Sequence, residues 1–374
     1  MKWITCPLCF ERIAVPEVGW ECEHLGCNHE VFFRPKVPLA EKLGLWRSPQ
    51  NMRHDSCGKM ASKRICPECK GELPSEFKTL PHLSIAVIGA KGSGKSHYVA
   101  LLIQRIKEMV RKEFDDWECH ALTDETIDRY KEVFADPLFG REDDRRVIAS
   151  TRPVGNQPLL YSLTAGRKRV MLAFFDAAGE SLQQGTEMSY IKRYIYKSAG
   201  LICLLDPLQF TSVREVLVGS GHQEAELPPQ EADPGSIVER VARVIRDGLN
   251  LRGKKINIPL AVAFSKMDFV GDAGETAAAM VRRLRKESRH SGVFDEADFR
   301  EIDGQMHSWM EEVDSRKGLE NDIRAFRRTG FFGFSALGSN PVGGRLQDAP
   351  HPFRVEDPLL WILAQNRLIR TRKM

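Results

Sequence analysis

The octapeptide Gly89-Ala90-Lys91-Gly92-Ser93-Gly94-Lys95-Ser96 constrains this chain more than any other segment. It matches the G-x-x-x-x-G-K-[ST] pattern, in which glycines let the backbone double back and present N–H groups to an anion. The flanks agree. Ser84-Ile85-Ala86-Val87-Ile88 reads as a buried strand running into the loop, and Val99, Leu102, Ile103, Ile106, Met109 and Val110 recur behind it at helical spacing. Strand, glycine-rich loop and helix N-terminus together predict a phosphate cradle. Backbone groups from Gly89, Lys91, Gly92, Ser93, Gly94 and His97 line it, Lys95 reaches the β/γ oxygens, and the Ser96 hydroxyl coordinates Mg2+.

Three later segments extend the pattern. Val170 to Asp176 is an apolar strand whose terminal carboxylate faces the Mg2+ hydration shell, and Gly179 can bring its N–H against a γ-phosphate with no side chain intervening. Leu260–Phe264 is another apolar strand, ending in Ser265-Lys266-Met267-Asp268. A carboxylate such as Asp268 accepts from both the N1–H and the 2-amino group of guanine, a donor pair adenine lacks, while the Lys266 stem lies over the purine. The last strand ends in Gly333-Phe334-Ser335-Ala336-Leu337, where the backbone of Ser335, Ala336 and Leu337 meets the guanine carbonyl. Before the Asp176 strand, Pro158–Thr164 forms a second strand of a hairpin turning at Ala165-Gly166. Thr151, just upstream, is the candidate for a Mg2+ and γ-phosphate contact, with Arg146 or Arg152 as a possible arginine supplied in cis.

In this order GAKGSGKS, DAAG, SKMD and SAL resemble the motif set of the Ras-like (TRAFAC) class of P-loop GTPases, over about residues 83–370. The resemblance implies an α/β fold, a doubly wound and mostly parallel six-stranded sheet, and a GTP/GDP switch that uses Mg2+. It implies catalytic roles for Lys95, Ser96, Thr151, Gly179 and Glu180. Two positions depart from the class. Ser265 stands where Asn or Thr is usual, with a hydroxyl able to tie its loop to the phosphate loop. Glu180 stands where a Gln orients the attacking water, and its like charge against the γ-phosphate implies slow hydrolysis without a partner; Gln183 and Gln184 are nearby substitutes.

The rest of the message is in the cysteines. Of nine, seven (Cys6, Cys9, Cys22, Cys27, Cys57, Cys66, Cys69) fall in the first 69 of 374 residues. No apolar signal segment follows Met1 and no run is long enough to span a membrane, so a reducing, cytoplasmic setting is expected and metal is favoured over disulfides. Cys6-x-x-Cys9 and Cys66-x-x-Cys69 have knuckle spacing for Zn2+. Cys22 and Cys27 can complete the first site and His54-x-x-Cys57 the second, giving a four-cysteine and a three-cysteine, one-histidine centre; the alternative has the two Cys-x-x-Cys knuckles share one ion. His24 and His29 are substitute ligands. Both zinc ions would be structural, with every position filled.

Residues 1–78 carry 12 Lys and Arg against 10 Asp and Glu, and thiolate ligands make the zinc-loaded segment slightly negative, which argues against a nucleic-acid footprint. A zinc module over 1–78 and a nucleotide domain over 79–374, with inserts near 207–255 and 270–328, is the expected division. The inserts or the module would contact protein partners. The basic run Arg282–Lys286 has acidic neighbours in sequence, whereas the tail Arg367–Lys373 has none; Cys119 and Cys203 read as packing residues. The arrangement of knuckles ahead of the domain is similar to the N-terminal region of bacterial double-GTPase proteins of conflict (defence) systems, which implies a second GTPase among the partners.

Overall fold

Alternation of apolar side chains to both faces organises the domain that follows the cysteines. The computed structural model describes residues 3–373 apart from 23, 25–26, 28–31, 34–50, 142–143, 149–157, 177–186, 225–226, 231–232, 315–317 and 342–343. Seven strands form the central sheet: β1 (His82–Gly89), β2 (Trp117–Ala121), β3 (Leu159–Ala165), β4 (Lys168–Asp176), β5 (Gly200–Leu205), β6 (Leu260–Phe264) and β7 (Thr329–Gly333). Their order is β2-β3-β4-β1-β5-β6-β7. Pairings from β4 through β1, β5 and β6 to β7 are parallel, and β2-β3-β4 is antiparallel.

The sheet therefore has one strand more than the six expected. Trp117–Ala121 escaped notice because only alternate residues are covered: Glu118 and His120 face solvent, as befits a half-exposed edge strand. The final strand also stops earlier than expected, at Gly333: Phe334 N still donates to Phe264 O at 2.9 Å, but its carbonyl accepts from Met267 N in the turn after β6.

In β1, β5 and β6 successive side chains feed opposite cores. Ile85, Val87, Ile202, Leu204, Ala261 and Ala263 pack under helix α1 (Lys95–Lys112) and the C-terminal helix. Ala86, Ile88, Leu201, Cys203, Val262 and Phe264 pack under α2 (Glu187–Tyr196), α3 (Pro234–Leu249) and α4 (Glu296–Val313). The expected periodicity of α1 holds, with Val99, Leu102, Ile103, Ile106 and Met109 buried and Val110 half-buried, and α3 likewise buries Ile237, Val241 and Ile245. Where α3 crosses α2, a Cβ on Gly248 would lie 2.2 Å from the Tyr196 ring, so only glycine permits this approach.

Two distant segments are pinned to the domain by charge. Arg354 donates to Asp298 of α4 and to Asp357 at the start of α5 (Asp357–Gln365), each at 2.8 Å and all nearly inaccessible. Thr371–Arg372 pairs with Phe294–Asp295, and Arg372 meets Asp295 at 2.6 Å, so the basic tail has an acidic partner brought from 77 residues away. Arg282 and Arg283 of the earlier basic run pair with Glu275 and Glu301, as their sequence neighbourhood suggested. No helix among the described residues is long and apolar enough to cross a membrane.

The N-terminal residues form short antiparallel ribbons, Trp3–Thr5 with Arg12–Ala14 and Met52–Arg53 with Met60–Ala61, and a small sheet built on Gly19–Glu21 and Lys63–Ile65. One apolar cluster joins Cys6, Leu8, Ile13, Val18, Leu73 and Phe77 to Leu160, Met171 and Ala173 of β3 and β4. The module thus uses the central sheet as part of its own core.

Candidate functional site

At the end of β1 the chain turns through Gly92 (φ 75°) and Gly94 (φ 85°), the left-handed conformations that glycine adopts without strain, before α1 begins at Lys95. A Cβ on Gly89 would lie 2.6 Å from the Leu204 carbonyl, so β5 seals the base of the loop. The Lys95 side chain is buried, and its ammonium donates to the Gly89 (3.2 Å) and Ala90 (2.7 Å) carbonyls, while Ser93 Oγ donates to Ala90 O at 2.9 Å. An amine held this way is aimed along the loop's inner rim, next to the N-terminus of an 18-residue helix. His97, one turn into α1, accepts from Ile148 N at 3.0 Å; burial, with the Lys266 charge, pulls it down to about 4 and keeps it neutral.

Asp176 closes β4 beside Val87 of β1. Thr151, Arg152, Gly179, Glu180, Gln183 and Gln184 lie outside the described residues.

The loops after β6 and β7 meet beside the Gly89–Ser96 loop and the start of α1. Lys266, in the left-handed region (φ 52°), extends its ammonium to Asp206 at 2.6 Å, and the buried Asp206 carboxylate also caps Leu208 N at 3.0 Å. Asp268 lies half-exposed in the turn of helix Met267–Val270. Phe334 O accepts from Met267 N, Ser335 Oγ accepts from Gly338 N at 2.8 Å, and the Tyr98 ring of α1 packs against Phe334 at 4.9 Å. Ala336 and Leu337 continue this loop over the apolar cluster under α1. The described parts of the motif set therefore converge on the carboxyl ends of β1, β5, β6 and β7, the edge where ligands of open α/β sheets bind.

Ser265 does not tie its loop to the phosphate loop: its N–H (2.9 Å) and its hydroxyl (3.3 Å) both donate to Leu205 O. A hydroxyl on one carbon reaches the neighbouring strand and no further. Asp206 was overlooked in the sequence, although an acid at the end of the buried run Leu201–Leu205 is the signal that drew attention to Asp176.

The cysteines group as Cys6, Cys9, Cys66 and Cys69, and as Cys22, Cys27, His54 and Cys57. The first pairing offered above is thereby corrected in favour of the alternative, in which the two Cys-x-x-Cys knuckles share one centre. The reason is the sheet register: Gly19–Glu21 pairs with Lys63–Ile65, which carries Cys66 towards the first knuckle and leaves Cys22 facing Cys57. His24 is exposed and belongs to neither group, and His29 lies outside the described residues.

Each knuckle has the same turn. Phe10 N donates to Cys6 O, Lys70 N to Cys66 O and Gly58 N to His54 O, and the donor residue in each has φ between 59° and 69°. Zinc bonded to sulfur at about 2.3 Å requires sulfurs about 3.8 Å apart. Cys6–Cys69 at 4.0 Å and Cys9–Cys66 at 3.9 Å fit this, as do Cys22–Cys57 at 3.5 Å and the His54 Nδ1 contacts to Cys27 (3.5 Å) and Cys57 (3.3 Å). The Cys57 thiol is drawn down to about 7, chiefly by the Lys59 backbone N–H, which favours the ligating thiolate.

A third group, His290, Asp298 and Asp357, is also close-set and buried. Its charge is already balanced by the Arg354 guanidinium lying between the two carboxylates, with Arg283 and Arg289 against Asp298, so it serves as a structural pin.

No family model matches the chain. It is 26% identical over 321 residues, 80% of this chain and 78% of the relative, to a Mycolicibacterium smegmatis protein carried under the provisional name ESX-1 scaffolding and assembly protein SaeC.

Proposed function

We propose that this chain is a Mg2+-dependent guanine-nucleotide switch that hydrolyses GTP to GDP and phosphate and presents two zinc-stabilised knuckle sites to protein partners. The observation that carries the reading is the convergence of the Lys95 loop, the Lys266–Asp206 pair and the Phe334–Ser335 turn on one edge of the sheet. Lys95 neutralises charge on the β/γ oxygens, and backbone N–H groups at the start of α1 orient them. Asp268 accepts the guanine donors, with Lys266 held against Asp206 so that its stem lines the base side. Ser96 and Asp176 are the hydroxyl and carboxylate that would hold Mg2+, whose charge stabilises the phosphates when bound. Thr151, Gly179 and Glu180 are proposed to act at the γ-phosphate.

Titration calorimetry with GTP, GDP and ATP in Mg2+ tests the reading: GTP and GDP should bind and ATP should not. Asp268→Asn should move preference from guanine to xanthine, and unchanged GTP affinity would remove the base assignment. A second reading, a GTP-dependent scaffold with little hydrolysis of its own, is favoured by Glu180 and by the scaffolding role in the relative's name. Single-turnover hydrolysis by Glu180→Gln separates the two, since acceleration identifies a brake and no change supports the plain switch. A second GTPase as partner and a defence role belong to this proposal through the resemblance in knuckle arrangement alone, and a cytoplasmic setting through the cysteines grouped as metal ligands, which calls for reduced thiols.

A further inference from the structure

One zinc knuckle reaches into the nucleotide domain. Phe10 follows Cys9 with φ 59°, and its fully buried side chain joins the apolar cluster beneath β1 and β5, while its neighbours Leu8 and Ile13 stay in the module's own cluster. There it meets the Tyr194 ring of α2 at 5.4 Å between centroids, and Tyr194 meets Phe175 of β4 at 4.7 Å. The Tyr194 hydroxyl, also inaccessible to water, bridges two strands: it accepts from Phe175 N at 3.0 Å and donates to Ile85 O. Phe175 immediately precedes Asp176, and Ile85 lies on the strand that delivers the phosphate loop. Two further contacts clamp the same knuckle to the end of α2, Lys197 Nζ to Phe10 O at 2.6 Å and the Arg193–Glu11 ion pair.

We propose that Phe10 and Tyr194 are positioning residues through which the Cys6/Cys9/Cys66/Cys69 zinc centre sets the end of β4 against the phosphate loop, coupling occupancy of that centre to Mg2+–nucleoside triphosphate binding. The proposal rests on the nucleotide-binding reading above. A residue that fixes the end of β4 affects the Mg2+ and γ-phosphate side of the site and leaves the base side alone, because Asp268 and Ser335 hang from β6 and β7. Linkage makes the effect reciprocal: bound Mg2+–GTP slows zinc loss from this centre, and has no such hold on the Cys22/Cys27/His54/Cys57 centre.

The test uses the full chain, loaded with zinc. Tyr194→Phe keeps both ring contacts and removes the hydroxyl's bonds to Phe175 N and Ile85 O; Lys197→Met changes an exposed side chain and removes one clamp. Loss of the hydroxyl's strand-bridging bonds predicts Mg2+–GTP affinity lower by about tenfold in Tyr194→Phe. GDP affinity without added Mg2+ should stay within about twofold, and Lys197→Met should shift Mg2+–GTP in the same direction by about threefold. Zinc release to a chromophoric chelator, with the second centre removed by Cys57→Ser, should slow when Mg2+–GTP is bound, and Tyr194→Phe should abolish the slowing. Equal weakening of both nucleotides, wild-type affinity in Tyr194→Phe, or zinc release blind to nucleotide overturns the coupling while leaving nucleotide binding intact. A wild-type chain that binds no nucleotide overturns both.

Discussion

The two cysteine-rich centres share a ligand chemistry and a turn, yet they belong to different parts of the molecule. Cys6, Cys9 and Cys66 are buried in a cluster completed by Leu160, Met171 and Ala173 of the central sheet, and Phe10 extends the contact into the core under α2. Around the other centre Cys27 and Cys57 are half-exposed, and the adjoining ribbon shows Met60 with 59% of its surface in solvent. Knuckle geometry is local and repeats wherever the ligands recur. What the metal stabilises depends on what the knuckle is packed against: among the described residues, the first centre's knuckle is packed into the core of the domain, and the second centre joins the ribbon of residues 52–61 to the end of the Gly19–Glu21 strand.

Ligand removal is the most forceful way to break this contrast. Cys66→Ser should lower global stability by about 5 kcal/mol or more, because lost metal affinity is lost folding free energy, whereas Cys57→Ser should leave the main calorimetric transition in place. Next in size, Phe10→Ala should cost about 3–5 kcal/mol as a large-to-small core change, against no more than about 0.5 kcal/mol for Met60→Ala in denaturant melts.

Acid probes a region remote from the cysteine groups. Burial pulls His290 down to about 4, and its Nδ1 accepts from Asp295 N at 2.9 Å, so the folded chain binds it neutral. Its folded value lies below the unfolded one, so the unfolded state takes up the extra proton and stability falls as pH drops from about 6.5 to 4, by about 3 kcal/mol in all. Asp357, pushed up to about 6 by burial, runs the other way. The difference in unfolding free energy between the wild type and His290→Asn across this window isolates the histidine, and Cys57→Ser should leave that difference unchanged. A comparably small effect should come from Glu11→Gln, which removes a half-exposed ion pair to Arg193 at the docked knuckle: about 0.2–1 kcal/mol at low salt, fading at high salt.

How legible a feature was in the sequence followed how far along the chain its cause lay. The strand, glycine-rich turn and helix at Gly89–Ser96 were readable because strand, glycines, lysine and helix are contiguous, and each acts through local backbone geometry. Residues able to ligate metal were readable as types at knuckle spacing, and their partners were not: Cys6 meets Cys69 across 63 residues, a choice made by strand register. The Lys266–Asp206 pair, 60 residues apart, was hidden for the same reason, as was the Arg372–Asp295 partnership of the basic tail. Trp117–Ala121 was missed because five residues at a half-solvated edge give too brief an alternation to stand out.

By itself, then, the sequence determined that the chain contains a glycine-rich loop between a buried strand and a helix, a set of apolar strands ending in acidic and serine-bearing loops, and knuckles able to ligate metal. These follow from short-range sterics and periodicity. Tertiary structure alone decided which knuckles share a centre, that Ser265 bonds to β5, and that Phe10 lies against Tyr194 next to the strands of the phosphate loop. Those outcomes depend on packing between segments far apart in the chain, where complementarity of surfaces selects one pairing among several that local chemistry allows equally.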